Sequence, residues 1–176
     1  MQLDPLLTQE QITARTAALA ALVSARWSGK RLVVLAVATG GVPFAVDLVR
    51  HLQGVDVELD LLGVSSYVGT ESTGQLVHSF GPRVLLEGAD VLVVDDILDT
   101  GRTLQFVVDL VREAGASSVT TMVLLDKPER RVVPIEADHV GFVIADQFVV
   151  GHGLDYDGRF RHLHGIHVVT RRGSHG

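Results

Sequence analysis

Two apolar runs, each followed by a turn and a helical pattern, constrain the fold of this chain more than any other feature of its sequence. The runs are "RLVVLAVA" at 31–38 and "VLVV" at 91–94. Continuous valine-rich runs are typical of strands covered on both faces, because half-exposed strands alternate apolar with polar residues. Helical spacing follows at 44–52 and again between Leu104 and Gly115. The sequence therefore predicts an α/β fold.

A first helix is predicted between the N-terminal segment and the first apolar run. Thr8 stands three residues before Gln11, which is the spacing of a capping box. We expect the helix to end near 28–29. Its apolar face is predicted to comprise Ile12, Leu19, Leu22 and Val23.

Further strands extend this alternation, so we predict a mostly parallel twisted sheet flanked by helices. Strand-like patterns lie at 55–64, 118–127, 140–145, 148–151 and 166–169. The segment 65–76 is polar and contains glycine, which predicts a loop. With 176 residues the chain is long enough for one well-packed domain. We expect that domain at 1–170 and a disordered tail at 171–176.

Charge and composition argue against several classes of partner. The chain carries 21 acidic and 15 basic residues, for a formal net charge of −6, which argues against general affinity for nucleic acid or anionic membranes. It has no cysteine, and therefore no disulfide, thiolate metal ligand or cysteine nucleophile. We see no signal peptide and no apolar run of membrane-spanning length. We therefore expect a cytoplasmic protein with a small-molecule ligand.

The stretch "VLVVDDILDTGRTL" at 91–104 places Asp95, Asp96 and Asp99 where a buried strand ends and a helix begins. Ligands of open α/β sheets bind at such strand ends, and the free N–H groups of a helix N-terminus favour a phosphate. Gly101 permits close approach of the backbone, and carboxylates accept hydrogen bonds from a diol. The turn therefore predicts a ribose 5-phosphate site. A solvated turn that caps the helix is the alternative.

This stretch resembles the phosphoribosyl-diphosphate binding motif of the type I phosphoribosyltransferases, in its apolar run, acidic pair, Asp-Thr-Gly and final Thr. The segments "LLDKPERR" at 124–131 and "VGFVIADQFVVGHGLDYDGRFRHL" at 140–163 are similar to the hypoxanthine-guanine branch, and "SSYVGTESTG" at 65–74 is similar to its mobile loop. The resemblance covers most of 32–163. It implies the type I fold, with a small hood built from the terminal segments.

The resemblance implies a role for each residue of the acidic turn. Asp99 matches the general base or acid at purine N7, and Asp95 and Asp96 match the pair that binds the ribose hydroxyls. The ribose-phosphate loop then comprises Thr100, Gly101, Arg102 and Thr103.

Base recognition is implied by a second set of residues. Lys127 matches the lysine that donates to the 6-oxo group, Phe148 the aromatic that stacks on the purine, and Val149 the residue whose backbone reads the base edge. Asp155 matches a residue beside the purine that contacts Mg²⁺, partly through water. Taken without the resemblance, Lys127 would be interpreted as a solvated surface lysine and Phe148 as a core residue.

A third set is implied to contact pyrophosphate or to close over it. Arg161 matches the pyrophosphate arginine, and Ser66 and Tyr67 belong to the mobile loop. Backbone contacts are implied for Thr39, Gly40 and Gly41, although the glycines also suit a tight strand-to-helix turn.

The chain departs from the family pattern at three positions. Thr39 stands where many relatives carry lysine, His152 replaces an aromatic residue, and Asp95 replaces a longer glutamate. A cluster of histidines is also present, which we expect to be solvated or hydrogen-bonded rather than to bind a metal. Its members are His162, His164 and His167.

The resemblance implies a magnesium-dependent enzyme of purine salvage. The reaction would transfer a 5-phosphoribosyl group from phosphoribosyl diphosphate to N9 of a 6-oxopurine, hypoxanthine or guanine, giving IMP or GMP and pyrophosphate. A homodimer or homotetramer is implied as well. Two alternatives remain: a phosphoribosyltransferase that prefers xanthine or a pyrimidine, and a regulator on the same fold that binds a nucleotide or RNA.

Overall fold

The fold is described by a computed structural model, which covers residues 1–66 and 76–170. The predicted tail at 171–176 and most of the predicted loop at 65–76 lie outside these residues. The helices are α1 (Gln9–Arg26), α2 (Val42–His51) and α3 (Arg102–Glu113), with a 3₁₀ turn at Pro128–Arg130. The strands are β1 (Gln2–Leu7), β2 (Arg31–Ala38), β3 (Asp56–Ser66), β4 (Leu76–Phe80), β5 (Asp90–Leu98), β6 (Ser118–Asp126), β7 (His139–Val143), β8 (Val149–Val150) and β9 (Ile166–Thr170).

Six strands form a sheet in the order β4-β3-β2-β5-β6-β7. Every neighbouring pair is parallel except β3 with β4, which is antiparallel. The carboxyl ends of the parallel strands therefore meet at one edge of the sheet. The predicted mostly parallel, helix-flanked sheet is confirmed. The predicted loop at 65–76 is shorter than expected at both ends, because β3 extends to Ser66 and the unpredicted β4 begins at Leu76.

The valines of β2 show why its apolar run is continuous. Alternate side chains of a strand point to opposite faces, and in β2 both faces are covered. One set packs with α1 and α2: Leu32, Val34 and Ala36. The other set packs with α3: Val33, Leu35 and Val37. The buried strand thus has no face on which a polar side chain would be solvated.

The start of α1 is held by the predicted capping box. Thr8 Oγ1 accepts a hydrogen bond from Gln11 N at 3.3 Å, and Gln11 Oε1 accepts one from Thr8 N at 2.9 Å. Leu22 was expected on the buried face but is 56% exposed. It lies about 100° around the helix from the buried Val23, which places it outside the stripe that faces the sheet. That stripe comprises Ile12, Thr16, Leu19, Ala20 and Val23.

A second sheet of three antiparallel strands has the order β1-β9-β8. Because β1 and β9 come from opposite ends of the chain, this sheet matches the expected hood from the terminal segments. The pattern of β1 does not predict a strand, since it is short and contains Pro5. Proline is tolerated there because β1 is an edge strand, and its pairing with β9 is irregular between Pro5 and Leu7. No helix within the two described segments is long and apolar enough to span a bilayer.

Candidate active site

The site lies at the carboxyl ends of β2 and β5, which are adjacent and parallel, with Ala36 opposite Val94. The turn at 39–41 and the acidic turn that ends β5 therefore lie side by side. They touch at Gly40, where an added Cβ would overlap Asp96 Oδ2. The peptide bond that precedes Thr39 is cis, and the Thr39 side chain is exposed. A side chain at position 40 would therefore displace the Asp96 carboxylate from this position.

Asp95 and Asp96 form a carboxylate pair in which Asp95 is buried and Asp96 is half-buried. Asp95 is 6% exposed, and its Oδ1 accepts a hydrogen bond from Asp96 N at 2.9 Å. Burial raises the pKa of Asp95 well above its usual range, and the Asp96 carboxylate adds to the rise. Burial also raises the pKa of Asp96, although the hydrogen bond with Asp95 and the charge of Arg161 act against it. The charged pair would therefore be stabilised by a ligand that supplies hydroxyl donors or a cation.

The N-terminus of α3 completes the acidic turn. Gly101 has φ +87°, a left-handed conformation that favours glycine, and it precedes the first helical residue. The Thr100 carbonyl accepts hydrogen bonds from Val132 N at 2.9 Å and Val133 N at 3.0 Å, which fix the turn against that segment. The first N–H groups of a helix have no acceptor within it, so this turn can bind an anion. Arg102 begins the helix, and its side chain is exposed.

A cavity of about 250 Å³, which we name the turn cavity, opens between these elements. Its lining includes seven of the predicted site residues: Gly40, Asp95, Asp96, Asp99, Thr100, Gly101 and Thr103. Arg102 is not part of this lining. The sequence therefore places the acidic residues and the helix N-terminus around one space.

A second cavity of about 440 Å³, the Phe148 cavity, adjoins the first. It is lined by Asp96, Ile97, Asp99, Lys127, Arg130, Asp146, Phe148, Val149, Leu154 and Asp155. Asp96, Ile97 and Asp99 line both cavities. A ligand with a sugar-phosphate part and a flat part could therefore occupy both at once.

Residue type alone suggests that Lys127 is solvated and Phe148 is buried, but the structure shows the opposite. Lys127 is only 6% exposed, whereas Phe148 is 52% exposed. The Lys127 ammonium donates to the Gln147 carbonyl and lies 4.0 Å from Asp146 Oδ1. The Phe148 ring meets the Tyr156 ring edge-on, with centroids 5.6 Å apart. A buried cation and an open aromatic face thus line the same cavity, with the buried Val149 next to them.

Arg130 also lines the Phe148 cavity and was not among the predicted site residues. Its Nε lies 3.1 Å from Asp99 Oδ1, and its Nη1 lies 3.7 Å from Asp146 Oδ1. The 3₁₀ turn brings it there, since Arg130 N donates to the Lys127 carbonyl at 3.2 Å. Residues three apart eclipse each other in such a turn. The turn thus brings Arg130 to the cavity that Lys127 lines, but the sequence around Arg130 does not indicate its two carboxylate partners.

Asp155 and Arg161 form an ion pair beside the two cavities. Arg161 Nη2 lies 2.9 Å from Asp155 Oδ1, and Arg161 Nη1 donates to the Gly153 carbonyl at 2.6 Å. Gly158 N donates to Asp155 Oδ2 at 2.7 Å. Asp155 lines the Phe148 cavity, so its carboxylate is oriented there by two donors.

The histidines lie apart from these contacts. His152 Nε2 is 3.6 Å from Asp47 Oδ2, and burial lowers the pKa of His152. His162 and His164 are exposed and His167 is half-buried. Within 1–66 and 76–170, no three His, Asp or Glu side chains come together as a metal-binding group.

Most of the predicted mobile loop at 65–74 lies outside the described residues. The backbone of Ser66 ends β3, opposite Leu76, while its side chain and all of Tyr67 lie outside the described part of the chain. Ser65 and Leu76, which are described, line the turn cavity.

Comparison with known proteins agrees with this geometry. Residues 2–157 match the phosphoribosyl transferase domain family. The hypoxanthine-guanine phosphoribosyltransferase of Lactococcus lactis is 39% identical over 165 residues, which cover 93% of this chain and 89% of that protein. The bifunctional protein TilS/HprT of Listeria innocua is 40% identical over 165 residues, which cover 93% of this chain but only 25% of that protein.

The similarity extends to solved structures. The hypoxanthine phosphoribosyltransferase from Trypanosoma cruzi, in complex with the product IMP, has a TM-score of 0.88 and 37% identity, and the match covers 94% of this chain and 93% of that one. Sequence and fold therefore agree. The chain belongs to the phosphoribosyltransferase family, in its hypoxanthine-guanine branch.

Proposed function

We propose that this protein transfers the 5-phosphoribosyl group of phosphoribosyl diphosphate to N9 of a 6-oxopurine, hypoxanthine or guanine, releasing pyrophosphate. One observation carries the proposal: the turn cavity and the Phe148 cavity share Asp96, Ile97 and Asp99. A sugar-phosphate site and a flat-base site are thus joined at a carboxylate. The relatives from Lactococcus lactis and Trypanosoma cruzi, whose names state this type of activity, support it.

In this proposal the donor's ribose 5-phosphate occupies the turn cavity. The ribose hydroxyls donate to Asp95 and Asp96, whose raised pKa values reflect burial without such a partner. The 5-phosphate lies at the N-terminus of α3, where backbone N–H groups of 100–103 and the hydroxyls of Thr100 and Thr103 donate to its oxygens. Arg102 contributes its backbone, since its side chain is exposed.

The base occupies the Phe148 cavity. The Phe148 ring stacks on the purine, and the backbone of Val149 meets the base edge. The ammonium of Lys127 donates to the 6-oxo group, which an adenine amino group cannot replace because it offers no acceptor. The already buried position of Lys127 supports this role, since a charge held out of water requires acceptors around it.

The chemical step joins the two cavities. N9 of the purine attacks C1′ of the ribose, the bond from C1′ to the pyrophosphate oxygen breaks, and its electron pair leaves with pyrophosphate. The proton on N7 passes to the carboxylate of Asp99, one of the three residues that line both cavities. Closure of the loop that contains Ser66 and Tyr67 would exclude water from the reactive C1′ centre.

The residues present fit a magnesium ion. Asp155 lines the Phe148 cavity together with Asp96, and each Asp155 oxygen retains a free lone pair beside its single donor. Magnesium usually takes one or two carboxylates together with phosphate oxygens and water. When bound, it would neutralise negative charge on the pyrophosphate. Arg161 and the backbone at 39–41 supply the protein's own contacts to that group.

The quaternary state and location complete the proposal. We expect a homodimer or homotetramer, the common states of such enzymes, in the cytoplasm. The contribution to the cell would be purine salvage, because the product is IMP or GMP.

A base panel tests the activity. The purified protein is incubated with phosphoribosyl diphosphate, MgCl₂ and one of hypoxanthine, guanine, xanthine, adenine or uracil, and the nucleotide product is measured by chromatography. We expect product with hypoxanthine or guanine and none with adenine or uracil. Turnover of xanthine or uracil alone would favour the alternative base preference. No product with any 6-oxopurine would overturn the proposal, and salt-sensitive RNA binding would then support the regulator.

A further inference from the structure

Four charged side chains follow one another along the wall of the Phe148 cavity with alternating sign. Asp99 lies 3.1 Å from Arg130, Arg130 lies 3.7 Å from Asp146, and Asp146 lies 4.0 Å from Lys127. The two ends of this series are the residues proposed to handle the N7 proton and the 6-oxo group. Arg130 therefore lies between two groups that must face the same base.

The oxygen of Asp99 that faces Arg130 is shielded from solvent. Asp99 Oδ1 has no aligned hydrogen bond among the described residues, and the Nε of Arg130 at 3.1 Å supplies its ion pair. A shielded carboxylate oxygen is costly unless a cation or donor lies next to it. Arg130 thus supports one orientation of this carboxylate, with Oδ1 turned to the guanidinium.

The position of Arg130 is itself fixed by the chain. The 3₁₀ turn Pro128–Arg130 begins directly after Lys127, and Arg130 N donates to the Lys127 carbonyl. Its guanidinium presents Nε to Asp99 and Nη1 to Asp146, two contacts at once. A planar guanidinium has this fork geometry and an ammonium lacks it.

We infer that Arg130 is a positioning residue, which holds the carboxylate of Asp99 towards N7 of the purine during phosphoribosyl transfer. The inference rests on the proposed function and adds a residue to it. Arg130 acts through Asp99, so its effect falls on the transfer step rather than on binding of phosphoribosyl diphosphate. Its contacts are with protein carboxylates, and the turn cavity is lined without it.

A double-mutant cycle tests this inference. Arg130→Gln, Asp99→Asn and the double variant are compared with the wild type by the single-turnover rate of nucleotide formation and by the KM for phosphoribosyl diphosphate. We expect Arg130→Gln to lower the transfer rate about tenfold, within the range for side chains in contact, with the donor KM unchanged. In the Asp99→Asn background the same change should have no further effect. Arg130→Lys should restore part of the rate, because it keeps the charge.

Arg112→Gln is the matched control, since Arg112 is an exposed arginine in the last turn of α3 and lies outside both cavities. A wild-type rate for Arg130→Gln would overturn the inference. An equal loss in the presence and absence of Asp99→Asn would also overturn it, since Arg130 would then act independently of Asp99. Wild-type protein that makes no nucleotide from any 6-oxopurine would instead overturn the proposed function, and the inference with it.

Discussion

The carboxylate of Asp96 lies directly against the Cα of Gly40, so that any side chain at position 40 would overlap Asp96 Oδ2. Gly40 follows the end of β2, Asp96 lies near the end of the neighbouring parallel strand β5, and both line the turn cavity. Asp96 also lines both cavities, so a displaced Asp96 carboxylate would enter the space proposed for the ligand.

Gly40→Ala should therefore displace Asp96 and weaken binding of the donor. We expect the kcat/KM for phosphoribosyl diphosphate to fall at least about tenfold, and the free energy of unfolding to fall by about 1–3 kcal/mol, as for other overpacked sites. The measurements are steady-state kinetics and urea denaturation. Gly81→Ala is the control, because a Cβ at Gly81 meets nothing within 4 Å. The same kcat/KM for Gly40→Ala and Gly81→Ala would contradict the proposed displacement of Asp96.

Asp95→Asn should stabilise the ligand-free protein at neutral pH while impairing activity. Because burial raises the pKa of Asp95 in the folded state, folding favours its protonated form. The resulting penalty is absent below the unfolded pKa of about 3.9. It grows as the pH rises from there towards the folded pKa and is then fully present. An asparagine carries no such penalty.

Thermal unfolding from pH 4 to pH 8 measures this effect. The wild-type Tm should fall with rising pH relative to the Tm of Asp95→Asn, and a gain of about 1 kcal/mol corresponds to about 2–4 °C for a domain of this size. Asp56→Asn changes an exposed aspartate, so the pH dependence of its Tm should match that of the wild type. A Tm difference between Asp95→Asn and the wild type that is the same at every pH would contradict the burial argument.

Lys127→Gln should impair use of the base and leave donor binding intact. The variant loses the charged donor for the 6-oxo group, and a hydrogen bond to a charged group is worth about 1.5–3 kcal/mol. We therefore expect the KM for hypoxanthine to rise by about 10- to 100-fold, with the KM for phosphoribosyl diphosphate within about twofold of wild type. Lys30→Gln, at an exposed position, is the control. A larger change in the KM for phosphoribosyl diphosphate than in the KM for hypoxanthine would contradict the proposed contact between Lys127 and the base.

Two leucines of α1 should differ sharply in their contribution to stability. Leu19 is fully buried, whereas Leu22 is 56% exposed. Leu19→Ala should lower the free energy of unfolding by about 2–5 kcal/mol, and Leu22→Ala should change it by less than about 0.5 kcal/mol. Urea denaturation of both variants measures this. Similar losses would mean that Leu22 is covered in solution, for example by a second copy of the chain.

The strand-helix alternation was predictable from the sequence, since an apolar run such as 31–38 has only one stable environment, between two layers of helices. The position of the acidic turn at the end of a buried strand was also predictable, and the structure places its three aspartates around one cavity. Lys127 and Phe148 could not be placed from residue type, because the burial of each depends on segments far along the chain. The family resemblance assigned both residues to the base site, whereas their residue types gave no such assignment.

Other features depend on pairing that local patterns do not encode. β1 contains proline and polar residues, and its strand conformation comes from pairing with β9, more than 150 residues away. Arg130 has no partner nearby in the chain, because Asp99 follows β5 and Asp146 follows β7. Leu22 was misplaced because its neighbour Val23 shares its apolar character but not its direction around the helix.

The hood sheet connects the first strand of the chain to the residue proposed to meet the base edge. β9 lies between β1 and β8, and β8 is only two residues long and contains Val149, the residue proposed to meet the base edge. Residues of β1 line neither cavity, yet they anchor the strand on which this backbone rests. Changes in the first seven residues are therefore expected to reach the backbone of Val149 through β9, at a distance from both cavities.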